Sequence, residues 1–402
     1  MNREKQEKNE KKLLFFILIL FSLVIGSKLN LSIGVALKPY MVLMAMYILV
    51  NVKNLMISKP RLYEVILFIF YFIYCITGIY SRYSDLAMRG ILATIMLFIL
   101  YFCIKDILRK LSLDSIEYGI SVVGILFNIG SLIYYTMGVL NVENDFRGND
   151  IEHFGIVLDR NMGRLIGLTS DPNLFAFFNL LFFCYYIMNT KMLRNKIGLL
   201  LSITTIILTF SRGALLSLLL LIVLSLVLKE SSGKIKIIFS LSIIYVIASF
   251  CIIQYTGTSF EEMVMERFST FSEDRGSGRL DLWEQGIQLF SDNPLLGIGS
   301  YNFSMYHLFL YGSQMFVHNT FLEVLSETGL LGSFFYTLSM LIILFQSIFL
   351  VIKNKRSNFL FLTLVGYLSM MFMLSLVLSE MFIFFIALFF RYYEELQEVS
   401  DA

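Results

Sequence analysis

The sequence predicts an all-α integral membrane protein of about twelve transmembrane helices with a large extracytoplasmic loop, one polytopic domain over residues 1–402. Three observations predict it. The chain is 57% hydrophobic and 15% charged, with a mean hydropathy of +0.75, whereas a soluble domain is about 45–50% apolar and about 25% charged. That excludes a soluble domain, a disordered chain and a nucleic-acid binder. The apolar residues fall in long runs. A span takes roughly 20 of them, and 57% of 402 residues is about 230, enough for about 11 or 12 spans. Finally, lysine and arginine gather in alternate connections.

In chain order, the charged segment 1–12 precedes an uncleaved first span, because no small-residue cleavage site follows before Lys28. The spans read as 13–27, 39–52, 61–80, 90–104, 115–140, 173–190, 197–210, 213–228, 236–254, 330–352, 358–375 and 377–393. The last two divide poorly, because 358–393 is almost unbroken apolar sequence. Pro39, Pro60 and Pro172 sit at or just before span starts, where a missing N–H costs little. Segments on the N-terminal side, 105–114 among them, hold 21 of 32 Lys and Arg, so that side is cytoplasmic. Cys75, Cys103, Cys184 and Cys251 lie inside apolar runs without ligand spacing and read as packing residues.

The outer side holds only two lysines, Lys28 and Lys38, but nine arginines: Arg82, Arg89, Arg147, Arg160, Arg164, Arg212, Arg267, Arg275 and Arg279. A guanidinium binds phosphate through a planar fork, so this bias points to an anionic ligand. Two outer loops are long, 141–172 and 255–329. The first ends in Ser170-Asp171-Pro172-Asn173, an N-cap followed by a first-turn proline. The second contains two amphipathic stretches. Residues 259–271 align Phe260, Met263, Val264, Phe268 and Phe271; residues 279–290 align Leu282, Trp283, Gly286, Ile287 and Phe290. The turn-rich Asn293-Pro294-Leu295-Leu296-Gly297-Ile298-Gly299 follows, its glycines able to admit a ligand close to the backbone. The loop closes with a helix from about Asn319 to Gly329.

All three histidines, His153, His307 and His318, fall on the outer side. His153 and His307 read as interfacial; His318 opens a polar helix just ahead of a span. Arg212 stands between two spans with no other charge nearby, which makes it a functional candidate.

Four segments in order, Ser211-Arg212-Gly213, Gly278-Arg279 through Trp283, Asn293 through Gly299, and His318-Asn319-Thr320-Phe321-Leu322-Glu323 through Gly329, resemble the conserved core of the O-antigen ligase/polymerase superfamily of bacterial envelope glycosyltransferases. The resemblance covers roughly 195–350 and implies a glycosyltransferase-C-like membrane fold in the bacterial inner membrane, with the active site facing the periplasm or the exterior. It implies a transferase that needs neither metal nor other cofactor and acts on an undecaprenyl-pyrophosphate-linked glycan donor and a glycan acceptor. Its partners would be membrane lipids and a chain-length regulator and flippase of the same pathway, with no nucleic acid. By similarity His318 matches the catalytic histidine. Arg212 and Arg279 match pyrophosphate-binding arginines, and Arg164 is a further candidate. Glu323 and Glu327 would orient His318, cap the helix or be solvated.

The preferred activity is polymerisation of lipid-linked repeat units of a surface polysaccharide, by direct inverting attack. A ligase passing the glycan to another acceptor is the alternative. A lipid-linked oligosaccharide flippase is the second; it would carry polar residues along its spans, whereas these spans read as almost free of charge.

Overall fold

The computed structural model describes residues 2–229 except 34, 56, 57, 144, 149, 160 and 161, then Met265 and residues 278–400. The expected span 236–254, the stretch 259–271 apart from Met265, Cys251, Arg160, Arg267 and Arg275 lie outside the described residues.

Among the described residues the chain is mostly helical: α1 (Asn2–Ile25), α2 (Pro39–Asn51), α3 (Leu62–Ile79), α4 (Ser84–Arg109), α5 (Leu113–Asn141), α6 (Pro172–Met188), α7 (Leu193–Leu208), α8 (Arg212–Leu228), α9 (Arg279–Asp292), α10 (Phe303–Tyr311), α11 (Thr320–Lys353), α12 (Asn358–Met371) and α13 (Glu380–Ser400). Each expected span within the described residues falls on one of them. Four helices, α3, α4, α5 and α11, are long and apolar enough to cross a membrane; α6 and α8 are apolar but shorter.

The centre of the bundle follows from composition. In α6 every residue from Phe175 to Ile187 is buried, as is Met381 to Phe390 in α13. A helix apolar on all sides has no face for water and is surrounded by other helices. Accordingly α6 packs on α7, α8 and α12, α13 on α4, α11 on α3 and α1 on α5. Phe177 stacks on Tyr367 with ring centroids 4.2 Å apart. A buried polar network ties α5, α6 and α7: Asn128 Nδ2 donates to Asn179 Oδ1 (3.0 Å), and Asn179 Nδ2 to Thr205 Oγ1 (2.9 Å).

The structure corrects several expectations. The chain is not wholly helical. The loop 141–172 contains the antiparallel sheet β3 (Ile151–His153), β4 (Ile156–Asp159) and β5 (Met162–Leu165), and a hairpin pairs β1 (Leu31–Ile33) with β2 (Val35–Leu37). Apolar side chains alternate inward along β4, a period the loop's polar composition hides. The segment 105–114 is not simply a connection. α4 runs on to Arg109, and Lys105 is buried with its Nζ 2.5 Å from the buried Glu64, which also accepts from the Tyr101 hydroxyl. The spans therefore hold charge, and two of these groups have close partners: Asp106 in Tyr47 and Lys110, Glu64 in Lys105. The apolar run 358–393 is divided by a break at 372–379, between α12 and α13.

On α9 the buried face is Leu282, Gln285, Gly286 and Leu289, rotated from the expected stripe, and Ile287 is exposed. α9 packs into a small separate core with Ile298, Phe303 and Val317, and Trp283 lies at its edge.

Candidate functional site

The site is built where four helices begin. α6, α8 and α11 start at side-chain caps. Asp171 accepts from Asn173 N and Leu174 N (both 2.8 Å), Ser211 Oγ accepts from Ala214 N (3.2 Å), and Asn319 Oδ1 accepts from Phe321 N (3.0 Å) and Leu322 N (3.2 Å). α9 starts after Gly278, whose φ is 73°. Arg212 and Arg279 are thus each the first residue of a helix. Ser211 and Asn319 each follow a non-glycine residue in the left-handed region, Phe210 (φ 47°) and His318 (φ 52°). Such backbone costs on the order of 1–3 kcal/mol per residue and persists where surrounding contacts over-determine it.

Those contacts tie the helix starts together. Ser211 Oγ donates to Asn173 Oδ1 (2.6 Å), joining α8 to α6. His318 N donates to Ser375 Oγ (3.1 Å), Thr320 Oγ1 to Leu374 O (2.7 Å), and Leu376 N back to Thr320 Oγ1 (3.0 Å). The break between α12 and α13 is thereby clamped to the start of α11. From the same break, Met373 meets both arginine positions. Arg279 Nη1 is 3.4 Å from its sulfur, and a Cβ on Gly213, next to Arg212, would lie 3.0 Å from its Cγ.

His318 lies in this junction and lines a partly enclosed cavity of about 530 Å³, together with Ser170, Asp171, Glu323 and Ser375. Burial, then the Arg279 charge, hold its pKa below the usual 6.5, while the Asp171 carboxylate acts the other way. The imidazole is therefore neutral at neutral pH and able to take a proton. The N-terminal ends of α6, α8, α9 and α11 add positive partial charge to two arginines, an arrangement that favours an anion.

Three expected site residues, His318, Arg212 and Arg279, are brought to this junction. Arg164 reaches it differently. Its Nε donates to Thr209 O (3.0 Å), in the turn ahead of Arg212, and its Nη1 to Asp159 Oδ2 (2.9 Å). It braces that turn with a guanidinium already engaged. The two glutamates separate. Glu323 lines the cavity, whereas Glu327 is buried and accepts from Tyr301 N (2.7 Å), Phe303 N (3.1 Å) and the Tyr74 hydroxyl (3.1 Å). Glu327 organises the start of α10 rather than capping its own helix or meeting solvent.

The glycines of 293–299 also serve a purpose other than admitting a ligand. Ile298 N donates to Ser326 O (2.9 Å), Gly299 N to Glu327 O (3.0 Å), Leu330 N to Pro294 O (2.8 Å) and Leu331 N to Leu295 O (3.2 Å). The segment runs along α11 where Gly329 (φ 61°, ψ −160°) breaks the helix. What comes close to the backbone is another stretch of backbone.

His153 lies on β3, and His307 Nδ1 donates to Ser313 O at 2.7 Å. Asp171, Asn173, Met373 and Ser375 belong to the site without having been expected there. Asp171 carried a signal, a carboxylate at an outward helix start. Met373 and Ser375 carried none, since they lie in an apolar run whose break the sequence does not mark. Among the described residues no group of three or more His, Cys, Asp or Glu side chains is placed to hold a metal ion.

Compared with known proteins, residues 197–337 match the family model described as O-antigen ligase. This match supports the O-antigen ligase/polymerase superfamily and, with it, a glycosyl-transfer enzyme in a membrane. No curated protein matches the chain.

Proposed function

We propose that the chain is a metal-independent inverting glycosyltransferase of the bacterial inner membrane. It polymerises undecaprenyl-pyrophosphate-linked repeat units of a surface polysaccharide, with the site facing outward and about twelve spans in all. A flippase that delivers the units and a chain-length regulator would act beside it. The observation that carries this reading is a half-buried, neutral His318 under the charges of Arg279 and Asp171, with the Ser211–Asn173 hydrogen bond tying the start of α8, where Arg212 sits, to the start of α6.

The chemistry needs two things. A polyprenyl pyrophosphate leaves once its growing charge is neutralised. Arg212 and Arg279, with four helix N-termini behind them, supply that charge in place. The acceptor hydroxyl must lose a proton as it attacks the anomeric carbon, and neutral His318 accepts it. The hydroxyl oxygen forms the new glycosidic bond as the bond to pyrophosphate breaks, which inverts the anomeric centre. Asp171 is placed to stabilise the imidazolium so formed.

The test is the polysaccharide profile of a strain lacking the gene, complemented with wild type or His318→Ala. Loss of all polymer beyond one lipid-linked repeat in both the deletion and the His318→Ala strain supports a polymerase. Long lipid-linked polymer that accumulates without reaching its final acceptor makes the chain a ligase. Failure to present any lipid-linked unit on the outer face makes it a flippase.

A further inference from the structure

The cavity beside His318 is larger than proton transfer requires. At about 530 Å³ it is in the range of small-molecule pockets, about 300–1,000 Å³. Glu323, 5% exposed, lines it and keeps Oε2 without a hydrogen-bond partner among the described residues. A buried carboxyl oxygen without a hydrogen-bond partner is costly and calls for an occupant that supplies one. The other charges on the wall are already engaged: Lys38 pairs with Glu380, which also accepts from the Tyr40 hydroxyl (3.1 Å). The lining thus presents an open acceptor and no open cation, so it suits a neutral donor of hydrogen bonds and not a phosphate. Leu174, Phe178 and Phe316 supply apolar surface on the same walls. A sugar ring offers that combination, hydroxyls at its edge and C–H groups on its faces.

We propose that this cavity is the acceptor subsite: an uncharged sugar of the acceptor glycan donates a hydroxyl to Glu323 Oε2, and its neighbouring hydroxyl faces His318. This rests on the transferase reading and adds to it a division of labour. The arginines at the helix starts hold the donor's charge, and Glu323 selects the acceptor. The clamp through Ser375, which binds His318 N and lies beside Glu323, fixes the spacing between base and selector.

The experiment uses the full-length protein in nanodiscs. The donor is lipid-linked repeat units extracted from the deletion strain. The acceptor is the same oligosaccharide carrying a benzyl group instead of lipid pyrophosphate, so it can accept but not donate. Glu323→Leu should raise the half-saturating benzyl acceptor by about three- to tenfold, the worth of an ordinary hydrogen bond, and leave the donor's unchanged. Glu323→Gln keeps an acceptor oxygen and the shape, so its rise should be smaller; it also stands in if the Leu variant does not fold. Wild-type acceptor dependence in both variants, a joint rise for donor and acceptor, or a Leu variant better than wild type (as a lipid tail in the cavity would give) overturns the assignment and spares the transferase. A wild type that never extends the benzyl acceptor overturns both.

Discussion

Replacing Gly329 with alanine tests the junction at its most constrained point. Gly329 has φ 61° and ψ −160°, a region essentially reserved for glycine, where another residue costs on the order of 1–3 kcal/mol. The added Cβ would also lie 2.4 Å from Leu295 C, 2.5 Å from Leu295 O and 2.6 Å from Leu296 N. These are backbone atoms, so no rotamer change relieves the contact, and overpacking of this kind adds about 1–3 kcal/mol. The sum is about 2–6 kcal/mol. Relief requires separating 293–299 from α11, which strains the four backbone hydrogen bonds that join them. With shifts of about 2 °C per kcal/mol for a chain this long, the thermal midpoint in detergent should fall by about 4–12 °C. Gly312→Ala is the control. Its φ is 75°, but nothing lies within 4 Å of its Cβ position, so only the left-handed cost of about 1–2 kcal/mol applies. Gly297→Ala, with φ 69° and a Cβ 2.4 Å from Glu327 C, should behave like Gly329→Ala. The measurement is a thermal scan of the three purified variants beside wild type. Equal midpoints for Gly329→Ala and Gly312→Ala would refute the account of a backbone-packed helix break.

Four further outcomes are expected. His318→Ala should lose about 10²–10⁴-fold in transfer rate at normal membrane levels; polymer at the wild-type rate would remove it as the base. The base works when neutral and its pKa lies below 6.5, so activity should hold down through pH 6.5 and fall only as pH drops through that lowered value. Asp171→Asn, which keeps a capping oxygen, should move this acid limb lower, and Arg279→Gln should move it higher; a limb above 6.5 in wild type contradicts the electrostatics. Arg212→Ala and Arg279→Ala should each cost about 10²–10³-fold in kcat, with partial recovery by Lys because the charge returns without the fork; full activity in the Lys variants would show that geometry is irrelevant there. Transfer by purified protein should survive excess EDTA, and an activity lost to chelator and restored by magnesium would end the arginine-only account.

The sequence by itself determined where helices lie and which residues stand out as candidates. Runs of apolar residues can satisfy their backbone only within themselves in lipid. Caps such as Asp171-Pro172 and Asn319 are local, made between residues two or three apart, so helix starts were legible. His318, Arg212 and Arg279 were legible because charge and imidazole are rare in such a chain. Only the tertiary structure decided what those starts share. Met373 and Ser375 join Arg279 and His318 from a break inside an apolar run, and no local signal marks a break whose hydrogen bonds are completed by Thr320, far away in sequence. The partners of Lys105 and Glu327 were hidden for the same reason. A buried ionisable group is tolerated only through partners brought to it by segments far away in sequence, here Glu64 on α3 and the amides of Tyr301 and Phe303.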